Sequence, residues 1–168
     1  MILRNSNKED LNTIMKIIDE GKEALKNNNV NQWQNGYPNE ETVLNDINKN
    51  ESYVLEYNGE IIGTLALSFN GEKTYDKIYE GKWLSENKYA VMHRIAVSKV
   101  KGIKNIGSEL LKESEAICIS RGIKNIKIDT HEENIAMQRL LQKNNYKYCG
   151  IIYLLDGNKR IAFEKELE

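Results

Sequence analysis

Three observations in this 168-residue chain predict a layered α+β fold, with a mixed sheet carrying helices on its faces. Apolar residues follow helical and strand periods in alternation along the chain. Asn58-Gly59 and Asp156-Gly157-Asn158 each separate two strand-like runs, the strongest short hairpin signal there is. From Val91 to Leu111, an apolar strand passes through a basic loop bearing Gly102 and Gly107 into an amphipathic helix. At this length one domain spanning residues 1–168 is expected, large enough to bury roughly two-thirds of its unfolded surface.

Taken in order, Ile2-Leu3-Arg4 opens as a short strand. Ser6 and Glu9 form a capping box ahead of Leu11, Ile14, Met15 and Ile18, which share one helical face. Lys26 to Asn39 is Asn-rich and holds Trp33, Gly36, Tyr37 and the only proline, Pro38, as a loop does. Asn39 caps a second short helix carrying Val43, Leu44 and Ile47. Strands Tyr53 to Tyr57 and Glu60 to Phe69 flank the first hairpin turn, and a polar excursion around Tyr75, Tyr79 and Trp83 precedes the strand ending at Val97. Leu110, Leu111, Ile117 and Cys118 give the next helix its core side, and Arg121-Gly122 stops it. Ile126, Ile128 and Thr130 alternate with Lys127 and Asp129 as a strand. A helix with Met137, Leu140 and Leu141 stops at Asn144-Asn145. Tyr146 to Leu154 and Arg160 to Phe163 flank the second hairpin turn. The order is β-α-α-β-β-β-α-β-α-β-β.

Composition narrows the function classes. A net charge of −1 argues against a generic nucleic-acid binder, because neutralising phosphates needs a basic excess. No apolar run reaches the ~18 residues of a membrane span. Met1-Ile2-Leu3 is followed at once by Arg4 and Asn5, unlike the apolar core of a signal peptide. Cys118 and Cys149 are too few and too isolated for a metal site or a disulfide framework, and read as buried thiols of a cytoplasmic protein.

A strand feeding a glycine-bearing turn into a helix N-terminus gathers backbone N–H groups around one point, a ready site for phosphate oxygens. Gly102 and Gly107 have the Gly-x4-Gly spacing of a Walker A loop, but Ser108 and Glu109 stand where that loop needs Lys and then Ser or Thr. A nucleotide triphosphatase is therefore disfavoured. Ile95-Ala96-Val97, the basic turn, and Ile106-Gly107-Ser108 before Leu110-Leu111 instead resemble the acetyl-CoA-binding motif of the GNAT N-acetyltransferase superfamily. That resemblance implies a mostly antiparallel central sheet and backbone groups of Ile95, Ala96 and Val97 offered to the pantetheine arm. It implies that the loop Gly102-Ile103-Lys104-Asn105-Ile106-Gly107, with Ser108 after it, wraps the diphosphate. The family pattern is Arg/Gln-x-x-Gly-x-Gly/Ala, and here Gly102 stands at the Arg/Gln position and Asn105 at the first glycine. Asn tolerates positive φ, so Asn105 can keep the turn, and Lys101 and Lys104 can supply positive charge. An ordinary strand–helix connection is the alternative reading of this segment.

The stretch from Ile128 to Gly150 carries a second resemblance, to the family's strand followed by Asn-x-x-Ala and a helix ending in Gly-Phe. Asn134 matches the asparagine that faces the cofactor, with Met137, Asn145 and Tyr146 replacing the small residue, the glycine and the phenylalanine. Many family members place a tyrosine acid five residues before that final aromatic; here the position is Leu141, which has no proton to donate. Either another group or water serves, or the thiolate leaves unassisted, as its modest basicity permits.

Acetyl transfer to an amine needs a neutral nucleophile, yet a lysine-type amine has a pKa of about 10. A general base must take its proton. His93 and His131 are the obvious candidates, since only His titrates near neutrality without help; each also reads as a surface or hydrogen-bonded structural residue, and Glu56, Asp76 and the tyrosines are the other candidates. Trp33, Tyr37, Tyr75, Tyr79 and Trp83 fall in regions that line the acceptor side in this family. They would cage an amine by cation–π contact or simply pack. The expectation is a cytoplasmic acyltransferase moving acetyl from acetyl-CoA to a small-molecule or protein amine in a ternary complex. A non-catalytic CoA-binding sensor, a longer acyl donor or alcohol acceptor, and a plain interaction domain are the alternatives. Oligomeric state is left open, although folds of this family often pair through terminal strands as homodimers.

Overall fold

Local chemistry sets where each element starts and stops in the computed structural model, which describes residues 1–168. The elements are β1 (Ile2–Asn5), α1 (Leu11–Asn27), α2 (Glu40–Asn48), β2 (Ser52–Tyr57), β3 (Glu60–Ser68), β4 (Ala90–Val97), α3 (Ile106–Ser120), β5 (Asn125–Thr130), α4 (Ile135–Lys143), β6 (Lys147–Tyr153) and β7 (Lys159–Glu166), with single 3₁₀ turns at Lys8–Asp10 and Lys73–Tyr75. This is the predicted order. The strands hydrogen-bond in the order β1-β2-β3-β4-β5-β7-β6, with β4 and β5 parallel and β5, β7 and β6 successively antiparallel. The chain divides into two units, Met1–Leu67 with Arg94–Ser114 and Ser68–His93 with Glu115–Glu168.

In the first unit the β2–β3 turn falls on Asn58 and Gly59, at φ 51° and 79°, the left-handed pair that matches strand twist. Asn39 caps α2 as predicted, accepting the Thr42 N–H at 2.9 Å. The capping box before α1 is corrected by one residue. Asn7 accepts the Glu9 N–H at 2.9 Å and Asp10 accepts the Asn7 N–H at 2.8 Å, while the Ser6 hydroxyl bonds that of Ser52. Arg4 is the reason: its guanidinium holds both oxygens of Asp10 at 2.8 and 3.0 Å and also Glu56 at 2.8 Å, which pins the box to Asp10. Ile14, Ile17 and Ile18 of α1, Val43 and Ile47 of α2, Val54 of β2 and Ala96 of β4 form one core. The pleat turns the next position to the opposite face. There Leu110 of α3 packs so close to Gly63 that a Cβ would lie 2.8 Å from its Cδ1. Helices thus cover both faces of these strands.

The second unit is built on β5, β7 and β6, with Tyr75, Val91, Ile152 and Ala162 as a core against which Ile78, Trp83, Tyr89 and Leu154 pack. The stretch read as a polar excursion is thereby corrected in part: Tyr75 is only 2% exposed. Its aromatics are separated by charged residues with no helical or strand period, so the apolar surface they need comes from β6 and β7. Tyr79 exchanges two 2.8 Å backbone hydrogen bonds with Ile151, and Gly81 and Gly150 permit that approach, since a Cβ on either would strike the facing backbone. Gly122 and Asn145, at φ 72° and 67°, terminate α3 and α4 where the sequence predicted stops. Cys118 and Cys149 are free and buried. Burial raises their thiol pKa values to about 12 and about 11.

Candidate active site

In the first unit the end of β4 and the start of α3 shape a loop. Ala96 turns into the α1–α2 core while Val97 is exposed. Ser98 then donates its N–H to Ile62 at 2.9 Å, and the Lys99 N–H reaches Glu20 at 3.1 Å, so the loop leaves the strand at a fixed angle. Gly102 has φ 88° and a Cβ there would meet nothing within 4 Å. Asn105 has φ 61°, a left-handed geometry that Gly and Asn adopt more cheaply than other residues. Its carbonyl accepts the Glu109 N–H at 3.0 Å, closing the first turn of the 15-residue α3. Ile106 anchors that turn in the core at 7% exposure, and Gly107 and Ser108 follow it within the turn. Lys104 is exposed and Ile103 half-buried beside it. A helix N-terminus carries about half a positive charge, so the loop is electrically suited to an anion.

Two residues before Ala96 in β4, Arg94 adopts φ 53°, a strained conformation for a side-chain-bearing strand residue. Asp46 of α2 grips its guanidinium at 2.7 and 2.6 Å, and the Tyr37 hydroxyl accepts a third bond at 2.9 Å. Burial pushes the Asp46 carboxyl up while Arg94 pulls it back. Sequence reasoning singled out neither Arg94 nor Asp46. Asp46 did carry a signal, because it lies between Val43 and Ile47 on the apolar side of α2, where a carboxylate needs a cation. Tyr37, 42% exposed, thus has a partner in Arg94, and Trp33, half-buried at φ 62°, packs on the α1–α2 core.

His93, the last β4 residue of the second unit, places Nε2 3.5 Å from Glu72 Oε2. The other Glu72 oxygen accepts the Thr74 N–H at 3.2 Å and its hydroxyl at 3.0 Å, and the Glu72 N–H donates to the Tyr89 hydroxyl at 3.3 Å. Tyr75 and Trp83 come together, ring centroids 5.2 Å apart, with Trp83 Nε1 donating to the Tyr75 carbonyl at 2.9 Å. The Tyr75 hydroxyl donates to Asp129 at 2.6 Å, and burial raises both pKa values. A cation already sits on this aromatic group: Lys127 Nζ lies 4.4 Å from the Trp83 centroid and 4.0 Å from that of Tyr89. Burial lowers the Lys127 pKa, and its cross-strand partner Glu164 is itself buried and shifted upward.

His131 belongs to the turn into α4. Its Nδ1 accepts the Glu133 N–H at 3.1 Å and its carbonyl the Asn134 N–H at 3.0 Å. Asn134 is the N-cap of α4, accepting the Met137 N–H at 3.1 Å. Just before them, the Thr130 hydroxyl is buried with no hydrogen-bond partner. Leu141 is fully buried, and the first tyrosine after α4, Tyr146, donates its hydroxyl to Glu115 at 3.1 Å.

The sequence model of the acetyltransferase (GNAT) family matches residues 18–146. No curated protein matches the chain. Among solved structures, a GNAT-family acetyltransferase from Streptococcus agalactiae is 32% identical, with a TM-score of 0.90 over 99% of this chain and 95% of that one. A GNAT-family acetyltransferase from Listeria monocytogenes is 18% identical, with a TM-score of 0.75 over 99% and 94%. The yncA protein of Salmonella typhimurium, solved with its cofactor acetyl-CoA, is 15% identical with a TM-score of 0.68 over 100% and 94%. The last two are similar in fold alone. With the family model covering most of its length and a 32% identical relative covering nearly all of it, the chain belongs to the GNAT acetyltransferase family.

Proposed function

We propose that this chain moves an acetyl group from acetyl-CoA to an amine acceptor, by direct attack in a ternary complex. The observation that carries this reading is the left-handed turn at Gly102 and Asn105, which aims the first turn of α3 at an open loop. Its N–H groups and dipole suit a diphosphate, and the small Gly107 allows a close approach. Ile95, Ala96 and Val97 offer backbone groups to a pantetheine arm. In the second unit, Asn134 keeps the cofactor-facing role that the family resemblance gives it, as the N-cap of α4. The donor supplies an activated acyl carbonyl. Strand N–H groups stabilise the charge that develops on its oxygen.

His93 is the base in this reading, because it lies two residues from Ile95 and already faces a carboxylate. His131 is the second candidate, its Nδ1 engaged by the turn it closes. Trp33, Tyr37, Tyr75 and Trp83 remain the acceptor-side groups, and Lys127 on the Trp83 face illustrates the affinity of that aromatic group for an ammonium. The two free thiols accord with work in the reducing cytoplasm. A CoA-binding sensor is the second reading, motivated by the buried apolar Leu141 at the position of the usual acid.

Acetyl-CoA at about a hundred times its Kd should stabilise the fold by roughly 2.7 kcal/mol. For a chain of this size that is a Tm increase of about 5–11 °C. AMP, which lacks the diphosphate–pantetheine arm, should do much less. Release of CoA thiol should then depend on an added amine. No Tm shift with millimolar acetyl-CoA or CoA overturns the reading, and binding without turnover on a broad amine panel gives the sensor.

A further inference from the structure

We propose that Asp46 is a positioning residue for the acyl transfer: it clamps Arg94 in a left-handed conformation and so sets the aim of the backbone N–H groups of Ile95 to Val97. The inference rests on the proposed acetyl transfer. Its basis is the conformation of Arg94, at φ 53° in the body of β4. A regular strand residue has a φ of about −120° to −140°, so the chain turns roughly half a revolution about the Arg94 N–Cα bond. The peptides that follow are thereby re-aimed relative to a regular pleat, as they are at a bulge. For a residue with a Cβ the left-handed conformation is disfavoured by roughly 5–30-fold. It persists only where the surroundings over-determine it.

Here they do. Asp46 accepts from Nε and Nη2 at 2.7 and 2.6 Å, a fork that fixes the guanidinium plane, and the Tyr37 hydroxyl accepts from Nη1 at 2.9 Å. The Arg94 and Asp46 side chains are 16% and 8% exposed, so water competes poorly for either. Asp46 is carried by α2, which is seated by Val43 and Ile47 in the core that also receives Ala96. Ile95 therefore lies between two residues fixed to the same helices. A buried ion pair adds little net stability over an apolar pair of similar volume. Holding a strained strand residue is a task that an apolar pair could not perform.

The chemistry gives that task a use. A neutral amine bonds to the acyl carbon and negative charge gathers on the acyl oxygen. The C–S bond then breaks, CoA departs as the thiolate, and the new amide nitrogen gives up one proton. Donors aimed at the acyl oxygen in advance stabilise its charge without reorganising. Asp46 touches neither substrate in this account and acts through Arg94 on where those donors point.

Asp46→Asn tests this, because it keeps the side-chain size and removes the charge that grips the fork. Its kcat should fall about 5–30-fold as Arg94 relaxes towards strand geometry, while the Kd for CoA, set mainly by the Gly102–Gly107 loop, stays within about threefold. Adding Arg94→Gly should restore most of the lost rate, because glycine adopts positive φ with no clamp. Adding Arg94→Ala should restore none. An ion pair that merely stabilised the fold predicts equal rates in the two double variants, since both lose the same guanidinium. By NMR without ligands, the strong intraresidue HN–Hα contact of a positive φ should be present at Arg94 in the wild type and lost in Asp46→Asn/Arg94→Ala. Equal rates in the Gly and Ala double variants, or Asp46→Asn within twofold of the wild type, overturns the role of Asp46. A wild type that binds no acetyl-CoA sinks the proposed function instead, and the NMR contact then decides the clamp by itself.

Discussion

Leu141→Ala separates packing from chemistry at the position where many family members carry a tyrosine acid. Leu141 is fully buried on α4, and its carbonyl accepts the Tyr146 N–H at 3.0 Å, so it joins the helix to the start of β6. Truncation removes three carbon atoms from the core. At about 0.8 kcal/mol per buried methylene the transfer cost is about 2.4 kcal/mol, and the residual cavity adds up to about 2 kcal/mol more. A total of about 3–4 kcal/mol lowers Tm by roughly 6–16 °C in a chain of this size. Urea denaturation at 25 °C should show the loss as a lower midpoint with an unchanged slope. Acetylation measured well below the new Tm should keep kcat within about threefold, because Leu141 has no proton to give. A rate defect approaching the 10²–10⁴-fold expected for losing a general base, in protein still folded, would mean that α4 takes part in the chemistry and that the site differs from the one described.

Gly107→Glu should abolish CoA binding with little change in circular dichroism, because it puts a negative charge in the first turn of α3; wild-type affinity in calorimetry would place the phosphates elsewhere. Lys104→Glu should weaken binding less, and more visibly at low salt, since exposed charges are screened. Cys118 and Cys149, with thiols raised to about 12 and about 11, should resist iodoacetamide in the folded protein at pH 8 and react only in denaturant; mass spectrometry reads the outcome, and rapid alkylation of native protein would contradict their burial. Asp10→Asn should cost about 1–2 kcal/mol at pH 7 by loosening Arg4 and the cap at Asn7. Because Arg4 lowers the folded Asp10 pKa below its ordinary 3.8, this stabilisation is complete above about pH 5 and fades as pH falls through the folded value. Urea midpoints of the two proteins should therefore converge in acid, and a gap that widens there would give the shift the wrong sign.

Much of the fold is legible in sequence because its signals are local. Asn58-Gly59 dictates its own turn through the φ values that only such residues adopt cheaply, Gly122 and Asn145 end helices for the same reason, and Asn39 starts one by accepting the Thr42 N–H with its side chain. Asn105 is a local signal too: its tolerance of positive φ is what lets the loop ahead of α3 form without the family's glycine. The capping box shows the limit. Ser6/Glu9 and Asn7/Asp10 both satisfy the pattern, and Arg4, with a second hold on Glu56 in the neighbouring strand, selects between them.

The candidate site is less legible, since its working contacts join residues far apart in sequence. Sequence alone marked Ile95 to Val97, the Gly102–Gly107 loop, His93 and Asn134 as positions of interest. Tertiary structure decided what they face: Asp46 reaches Arg94 across 48 positions and Tyr75 reaches Asp129 across 54. It also set Lys127 opposite Glu164 through the β5–β7 register and Glu72 beside His93. No periodicity or spacing encodes such pairs. A turn or cap is decided by the torsions of adjacent residues, whereas the partner of a charged side chain is decided by which strands and helices the whole chain can pack without leaving it buried and alone.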